Sequence, residues 1–398
     1  MSIRSRANVI VVLFFHRYRW GIQIRGDERG FLEKAKAFKR LGINLRVLEK
    51  NPSFQEDARE EVYTSIKVKG CRIPPKNAFQ LFVLALCAIE KAFRNVPRHP
   101  LAIYSYNQDV ENVFPGLLLR LLTGAPLVVI HHQIDATSVL PFGQSIALRR
   151  KEGYGLISAI WRSIPPALNR FGLLKADTHI ALSKAAKEDA EKALGIDQCI
   201  VIGNGVDTVK FRPLNLSRVY DAAFFGRLAP QKGIDILLRA WSNIVQTNPN
   251  ARLILIGGAD EANFKKYRQM ISELRLVNNV TIAGFQSDEK VVELLNSSKV
   301  FVFPSRKEGF AQSVSQAMAC GMCCILSDIP ALREYYGKSA ILVQPENVDA
   351  LSSAISLLLA DERRQKELRA QAREQVIGLS WSTTARLELI EITRPKTK

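Results

Sequence analysis

Short apolar runs punctuate this chain, separated by longer stretches of mixed polarity. Residues 8–15, 43–48, 101–106, 127–130 and 176–183 are runs of strand length in the first half. Residues 221–226, 252–257, 279–283, 300–304, 323–326 and 340–343 continue the series in the second. Most are apolar throughout, the pattern of strands covered on both faces. Between them lie helical stretches. Residues 234–245 (IDILLRAWSNIV) are amphipathic, and a helix that follows a loop with Gly21, Gly26 and Gly30 stops at Gly42. Strand and helix in alternation predict α/β architecture with parallel sheets, twice over. At 398 residues the chain exceeds the size at which single cores stop growing. Asn204-Gly205 is a turn signal. It separates a first domain, 1–203, from a linker, 204–218, and a second domain, 219–375. Residues 78–93 (AFQLFVLALCAIEKAF) are interrupted by Gln80 and Glu90 and fall short of the roughly 20 residues of a membrane span. They are expected to form a buried core helix.

Two segments carry the chemistry. The run VFVFPS (300–305) feeds a Glu308-Gly309 turn and then a helix-like stretch of small residues ending at Cys320-Gly321. Strand, turn and helix N-terminus is an arrangement that binds anions, because the first-turn amides point at the ligand. An ordinary loop and cap would use the same order. Glu308 repels a phosphate and suits sugar hydroxyls instead. The second segment, DAAFFGRLAPQKG (221–233), ends a strand at Gly226, follows it with Arg227, and places Lys232-Gly233 before a helix. Cations at a helix start oppose the helix dipole, so a solvated surface explains them less well than a bound diphosphate does.

These residues resemble glycosyltransferase family 4, retaining enzymes of the GT-B fold. Gly226-Arg227-Leu228 with Lys232-Gly233 is similar to the family's G-R-L-x-x-x-K-G segment. Residues 201–207 (VIGNGVD) resemble its V-I-P-N-G-V-D segment, with Gly203 where Pro is usual. Phe303-Pro304-Ser305 with Glu308-Gly309-Phe310 resembles P-S-x-x-E-G-F, and residues 316–321 (QAMACG) resemble E-A-M-A-C-G. The departure is Gln316, which stands where the second of two family glutamates accepts bonds from the nucleotide ribose. An amide oxygen still accepts a bond, without the charge assistance.

The resemblance implies two Rossmann-like doubly wound domains facing across a cleft, with the last helix (383–393, within 376–398) returning to the first domain. It implies a nucleotide-diphosphate-sugar donor, with Arg227, Lys232, Glu308 and His132 as catalytic residues. Donor contacts fall to Gly26, Gly226, Phe285, Gly309, Phe310, Ala311, Gln312 and Gln316, with no metal and no cofactor. His132 follows the 127–130 strand, where a family His contacts donor sugar or acceptor. In the family's N-terminal glycine pair only Gly26 is kept, beside Arg25.

Charge adds a partner question. The net charge is +18, and residues 1–200 hold 30 Lys and Arg against 18 Asp and Glu. No nucleic-acid module or stacking pattern is present, so nucleic acid is not expected. An anionic membrane surface, an acidic acceptor and a plainly solvated surface stay open. Residues 133–175 mix Arg149-Arg150-Lys151 with Trp161 and several aliphatics: an interfacial segment, a lid or core. Cys320, Cys323 and Cys324 lack a second pair at zinc spacing, and buried reduced thiols suit the cytoplasm. The expectation is a retaining, metal-independent hexosyltransferase, cytoplasmic or peripheral on the inner membrane face. Its acceptor is a glycan, a lipid-linked molecule or a small molecule. An epimerase of the same fold and a non-catalytic binder are the alternatives.

Overall fold

A computed structural model describes residues 7–13, 26–49, 62–68, 78–132, 134 and 136–394. The chain divides into two compact units, residues 1–203 with 382–398 and residues 204–381.

The first unit runs β1 (Ala7–Leu13), α1 (Gly26–Arg40), β2 (Asn44–Glu49), β3 (Thr64–Lys67), α2 (Ala78–Asn95), β4 (Pro100–Ser105), α3 (Val110–Thr123) and β5 (Leu127–His131). It continues with α4 (Phe142–Lys151), α5 (Leu156–Leu174), β6 (Thr178–Ala181), α6 (Lys184–Leu194) and β7 (Cys199–Val201). Seven strands lie in the order β3-β2-β1-β4-β5-β6-β7, all parallel. Every residue of β4 and β5 is buried, as their apolar runs lead one to expect, and each strand ends in a buried polar residue, Ser105 and His131. Two strands escape the sequence pattern. In β3 only Ile66 is buried, and β7 is three residues long, so neither offers an apolar run.

Residues 78–93 do form a helix, but the expectation of a buried core helix needs correction. Leu81, Leu84, Ala85, Ala88 and Ala92 of α2 are buried, while Phe79, Phe82, Leu86 and Phe93 are exposed at 72, 47, 65 and 58%. The sequence is apolar on both faces, and only one of them is covered.

The second unit runs β8 (Tyr220–Phe225), α7 (Ile234–Thr247), β9 (Leu253–Ile256), α8 (Glu261–Glu273), β10 (Val280–Gly284), α9 (Asp288–Asn296) and β11 (Ser298–Phe303). Then come α10 (Gln312–Ala319), β12 (Cys323–Ser327), α11 (Pro330–Tyr336), β13 (Ala340–Val343), α12 (Val348–Ala360) and α13 (Glu362–Ile377). Its six strands are parallel in the order β10-β9-β8-β11-β12-β13. Counted from its own first strand this is the 3-2-1-4-5-6 order of a doubly wound sheet, and the strand order reverses between β8 and β11. Ligands of such sheets bind beyond the carboxyl ends of the strands at that reversal. In the first unit the reversal falls between β1 and β4.

The last helix, α14 (Trp381–Thr393), lies with the first unit from Ser382 onward. A buried polar cluster ties it there. Lys34 Nζ donates to Glu388 Oε1 at 2.6 Å, and the Tyr104 hydroxyl donates to Glu388 Oε2 at 2.7 Å. Burial and the Glu388 carboxylate push the Tyr104 hydroxyl well above its ordinary pKa.

Candidate active site

Two loops leave the second sheet at its reversal point, and glycines let them touch. A Cβ on Gly233, whose φ is +68°, would sit 2.0 Å from the Pro304 carbonyl oxygen. The neighbouring turn is as tight: a Cβ on Gly257 would lie 1.9 Å from the Gly226 oxygen. The Lys232-Gly233 segment therefore fits directly against the loop after β11. Hydrogen bonds fasten the contact. The Arg306 amide donates to the Gln231 carbonyl at 2.9 Å, and Gln231 Nε2 donates to the Lys307 carbonyl at 2.7 Å. Arg306 also grips Asp235 with two bonds of 2.8 Å and pairs with Glu346 and the Pro230 carbonyl. The Asp235 and Glu346 carboxylates hold the Arg306 guanidinium above its usual range.

Within this frame Lys232 Nζ lies 2.5 Å from Glu308 Oε1, and the Ser305 hydroxyl donates to the same oxygen at 2.6 Å. The ammonium also lies over the Phe303 ring, 5.4 Å from its centroid. The pair is poorly exposed, with Lys232 at 17% and Glu308 at 6%. Arg227 is different: it is exposed, and its guanidinium has no partner among the described residues.

Helix α10 opens beside them. Its N-cap, Ala311, supplies no side-chain cap, and the amides of Phe310, Ala311, Gln312 and Ser313 have no acceptor among the described residues. Free first-turn amides form an anion site. Tyr336 holds this end in place, donating to the Ala311 carbonyl at 3.1 Å while its oxygen lies 2.8 Å from Ser315 Oγ. Burial raises the Tyr336 pKa, so the phenol stays protonated and able to donate. The Phe310 ring packs on Tyr335 at 4.8 Å, leaving its backbone for the site. Gln312 spends its side chain elsewhere, donating to the Gly205 carbonyl at 2.8 Å. Gln316 is buried one turn further on, and Phe285 stands 37% exposed beyond β10.

Sequence reading found Arg227, Lys232, Glu308 and the start of α10, and the second unit brings the Lys232 and Glu308 side chains into contact. It missed the pieces that hold them: Gln231, Ser305, Arg306 and Tyr336. Gln231 and Ser305 stood in quoted segments with no role given, and Gln231, Arg306 and Tyr336 act through bonds across more than 20 residues. Gly205 is also more than a turn former, since a Cβ there would lie 2.2 Å from the Trp381 amide nitrogen.

In the first unit His132 follows β5. Its Nε2–H donates to the Tyr106 carbonyl at 2.9 Å, and its amide donates to Gln108 Oε1 at 3.1 Å. That leaves Nδ1 as the ring's acceptor. Its neighbour His131 is fully buried and points away from that role. Gly26 begins α1, and Arg25 lies outside the described residues.

The family model for group 1 glycosyl transferases matches residues 206–375, and that for Glycosyltransferase Family 4 matches residues 24–210. The chain belongs to glycosyltransferase family 4. It is a glycosyltransferase of the GT-B fold. D-inositol 3-phosphate glycosyltransferase of Rhodococcus erythropolis is 22% identical over 96% of this chain and 90% of its own length. A serotype-specific mannosyltransferase, WbdA of Escherichia coli, is 29% identical over 42% of this chain and 21% of its own. Among solved structures, sucrose-phosphate synthase of Thermosynechococcus elongatus superposes with a TM-score of 0.77 at 20% identity, covering 96% of this chain and 97% of that one. Anabaena HepE in complex with UDP and glucose gives 0.72 at 18% identity, covering 97% and 99%.

Proposed function

We propose that this family 4 glycosyltransferase binds a nucleoside-diphosphate sugar at the β8–β11 reversal and transfers the sugar with retention of configuration. The observation that carries this reading is the Lys232–Glu308 pair beside the open amides of α10. A diphosphate draws Lys232 from Glu308, joins Arg227 and receives the amides of Phe310, Ala311 and Gln312. Those groups stabilise the charge that develops on the leaving phosphate, without a metal in that role. Glu308, freed, accepts bonds from sugar hydroxyls and fixes the donor's orientation. Gln316 accepts from the ribose. Gly26, Gly226, Gly309 and Phe285 complete the donor contacts, and His132 contributes from the first unit.

The reaction breaks the anomeric carbon–phosphate oxygen bond and forms a bond from the acceptor oxygen on the same face. The acceptor proton passes to the leaving phosphate. This reading assigns no carboxylate as the nucleophile of a double displacement, the alternative retaining route. Following the anomeric proton of fresh product by NMR tests this: a retained configuration supports the reading and an inverted one overturns it. Release of free sugar or an isomer without acceptor would point to epimerase chemistry.

The acceptor in this reading is lipid-linked or anionic, met at the inner face of a membrane. No helix among the described residues is long and apolar enough to cross one. Support comes from the surface of the first unit. The outer stripe of α2 shows Phe79, Phe82, Leu86 and Phe93, and the start of α5 shows Leu156, Ile157 and Trp161. The last turn of α4, four residues earlier in the chain, carries Arg149, Arg150 and Lys151. Apolar side chains with a cationic border suit anionic lipid. The five described cysteines are free, which suits a reducing compartment. Co-sedimentation with vesicles is expected with anionic lipid and to weaken with salt. Equal binding to neutral vesicles, or none, contradicts this part.

A further inference from the structure

Three adjacent strands of the first unit bring two imidazoles and a thiol together. His131 ends β5, His179 lies in β6 and Cys199 begins β7. The parallel register sets Val129 beside His179 and His131 beside Ala181, and pairs His179 with Cys199. His131 therefore lies two residues on from the His179 level, on the same face of the sheet. All three are buried. His131 Nε2 is 2.9 Å from His179 Nδ1 with the rings stacked at 17°, and one ligand atom from each of the three residues lies within 4.8 Å of the others.

A hydrogen-bonded histidine pair does not satisfy this corner. His131 Nδ1 is buried with no hydrogen-bond partner among the described residues, a costly state for a polar atom. Glu191 Oε1 accepts the Cys199 amide at 3.2 Å and lies 3.6 Å from Lys187.

We propose that His131, His179 and Cys199 form a site for one Zn²⁺ ion, with Glu191 the carboxylate that turns in to fill the fourth position. Two nitrogens and one sulfur are a borderline-soft set that zinc takes in tetrahedral geometry. Metal–ligand bonds of roughly 2.0–2.3 Å put tetrahedral ligands about 3.3–3.8 Å apart, so the 2.9 Å histidine contact opens slightly as the ion enters. The thiolate and the Glu191 carboxylate together balance the dication. Binding forms two metal–nitrogen bonds, one metal–sulfur bond and one metal–oxygen bond to Glu191; the proton between the two rings moves to the outer nitrogen of its own ring, and the thiol proton is released. The ion ties three neighbouring strands beside His132. This role is structural and is separate from the donor chemistry.

The tag-free full-length chain, cleared of metal with a chelator, is incubated with Co²⁺ as a spectroscopic probe. One equivalent is expected to give a thiolate-to-cobalt charge-transfer band that Zn²⁺ bleaches. Cys199→Ala should lose the band, and His179→Asn should weaken cobalt binding at least tenfold, with near-UV circular dichroism confirming each fold. Proton release on adding Zn²⁺ to the wild type, close to one per ion in weak buffer, needs no variant. A folded wild type with neither band nor proton release overturns the proposal, as does a band that survives in Cys199→Ala.

Discussion

The two units share one kind of sheet and use it in opposite ways. In the second, polar groups meet at the rim, where the β8 and β11 loops press together through Gly233 and Pro304 and Lys232 pairs with Glu308. In the first, polar groups sink into the interior, as Lys34, Tyr104 and Glu388 do, while apolar side chains of α2 and α5 face out. The doubly wound frame fixes where strand ends gather. What each end does depends on which side chains are kept from water.

The contrast can be broken at its tightest contacts. Gly233→Ala forces a Cβ into the Pro304 carbonyl at positive φ. It should destabilise the second unit by about 4 kcal/mol or more, read by chemical denaturation, and abolish nucleotide binding. Lys34→Met strands the Glu388 carboxylate and should cost the first unit about 3–5 kcal/mol while nucleotide affinity holds. If either change acted on the other unit's readout instead, the division of labour would fail.

Smaller changes sharpen the picture of the rim. If the proposed role holds, Lys232→Ala removes a donor to the leaving phosphate, and kcat/KM should fall roughly 100- to 1,000-fold with the fold intact. Gln316→Glu adds a charge to the acceptor proposed for the ribose, so donor affinity by calorimetry should rise roughly five- to tenfold, about 1 kcal/mol. Unchanged or weaker binding would show that Gln316 does not reach the ribose.

The smallest effect concerns acid. Burial opposes ionisation of Asp235, but its bonds from Arg306 outweigh that and lower its pKa. A depressed carboxylate contributes stability in full above its unfolded value of about 4 and loses it as pH falls through the folded value. Asp235→Asn should flatten the acid side of the stability curve by less than about 1 kcal/mol, since the pair is partly exposed.

How much of this was legible in the sequence follows from the same contrast. All six strands of the second sheet, and five of seven in the first, were written as apolar runs; β3 and β7 were not, because an edge strand and a three-residue strand bury too little. The rim of the second unit left a motif because backbone approach demands glycine at fixed steps from a cation. Arg306 left none, since its partners Asp235 and Glu346 lie 71 and 40 residues away. The same holds for Lys34 with Glu388, 354 residues apart, and for His131 with His179, 48 apart. The outward face of α2 was misread because an apolar stripe looks the same in sequence whether or not anything covers it.

The central claim is that the β8–β11 rim holds the donor's diphosphate. Thermal unfolding of the purified chain against UDP, GDP and ADP sugars, beside an Arg227→Ala/Glu308→Ala double variant, tests it most directly. One nucleotide family should stabilise the wild type, by about 2.7 kcal/mol at one hundred times its dissociation constant, and leave the folded variant unmoved. A variant that responds like the wild type, or a wild type that responds to no nucleotide, would contradict the account.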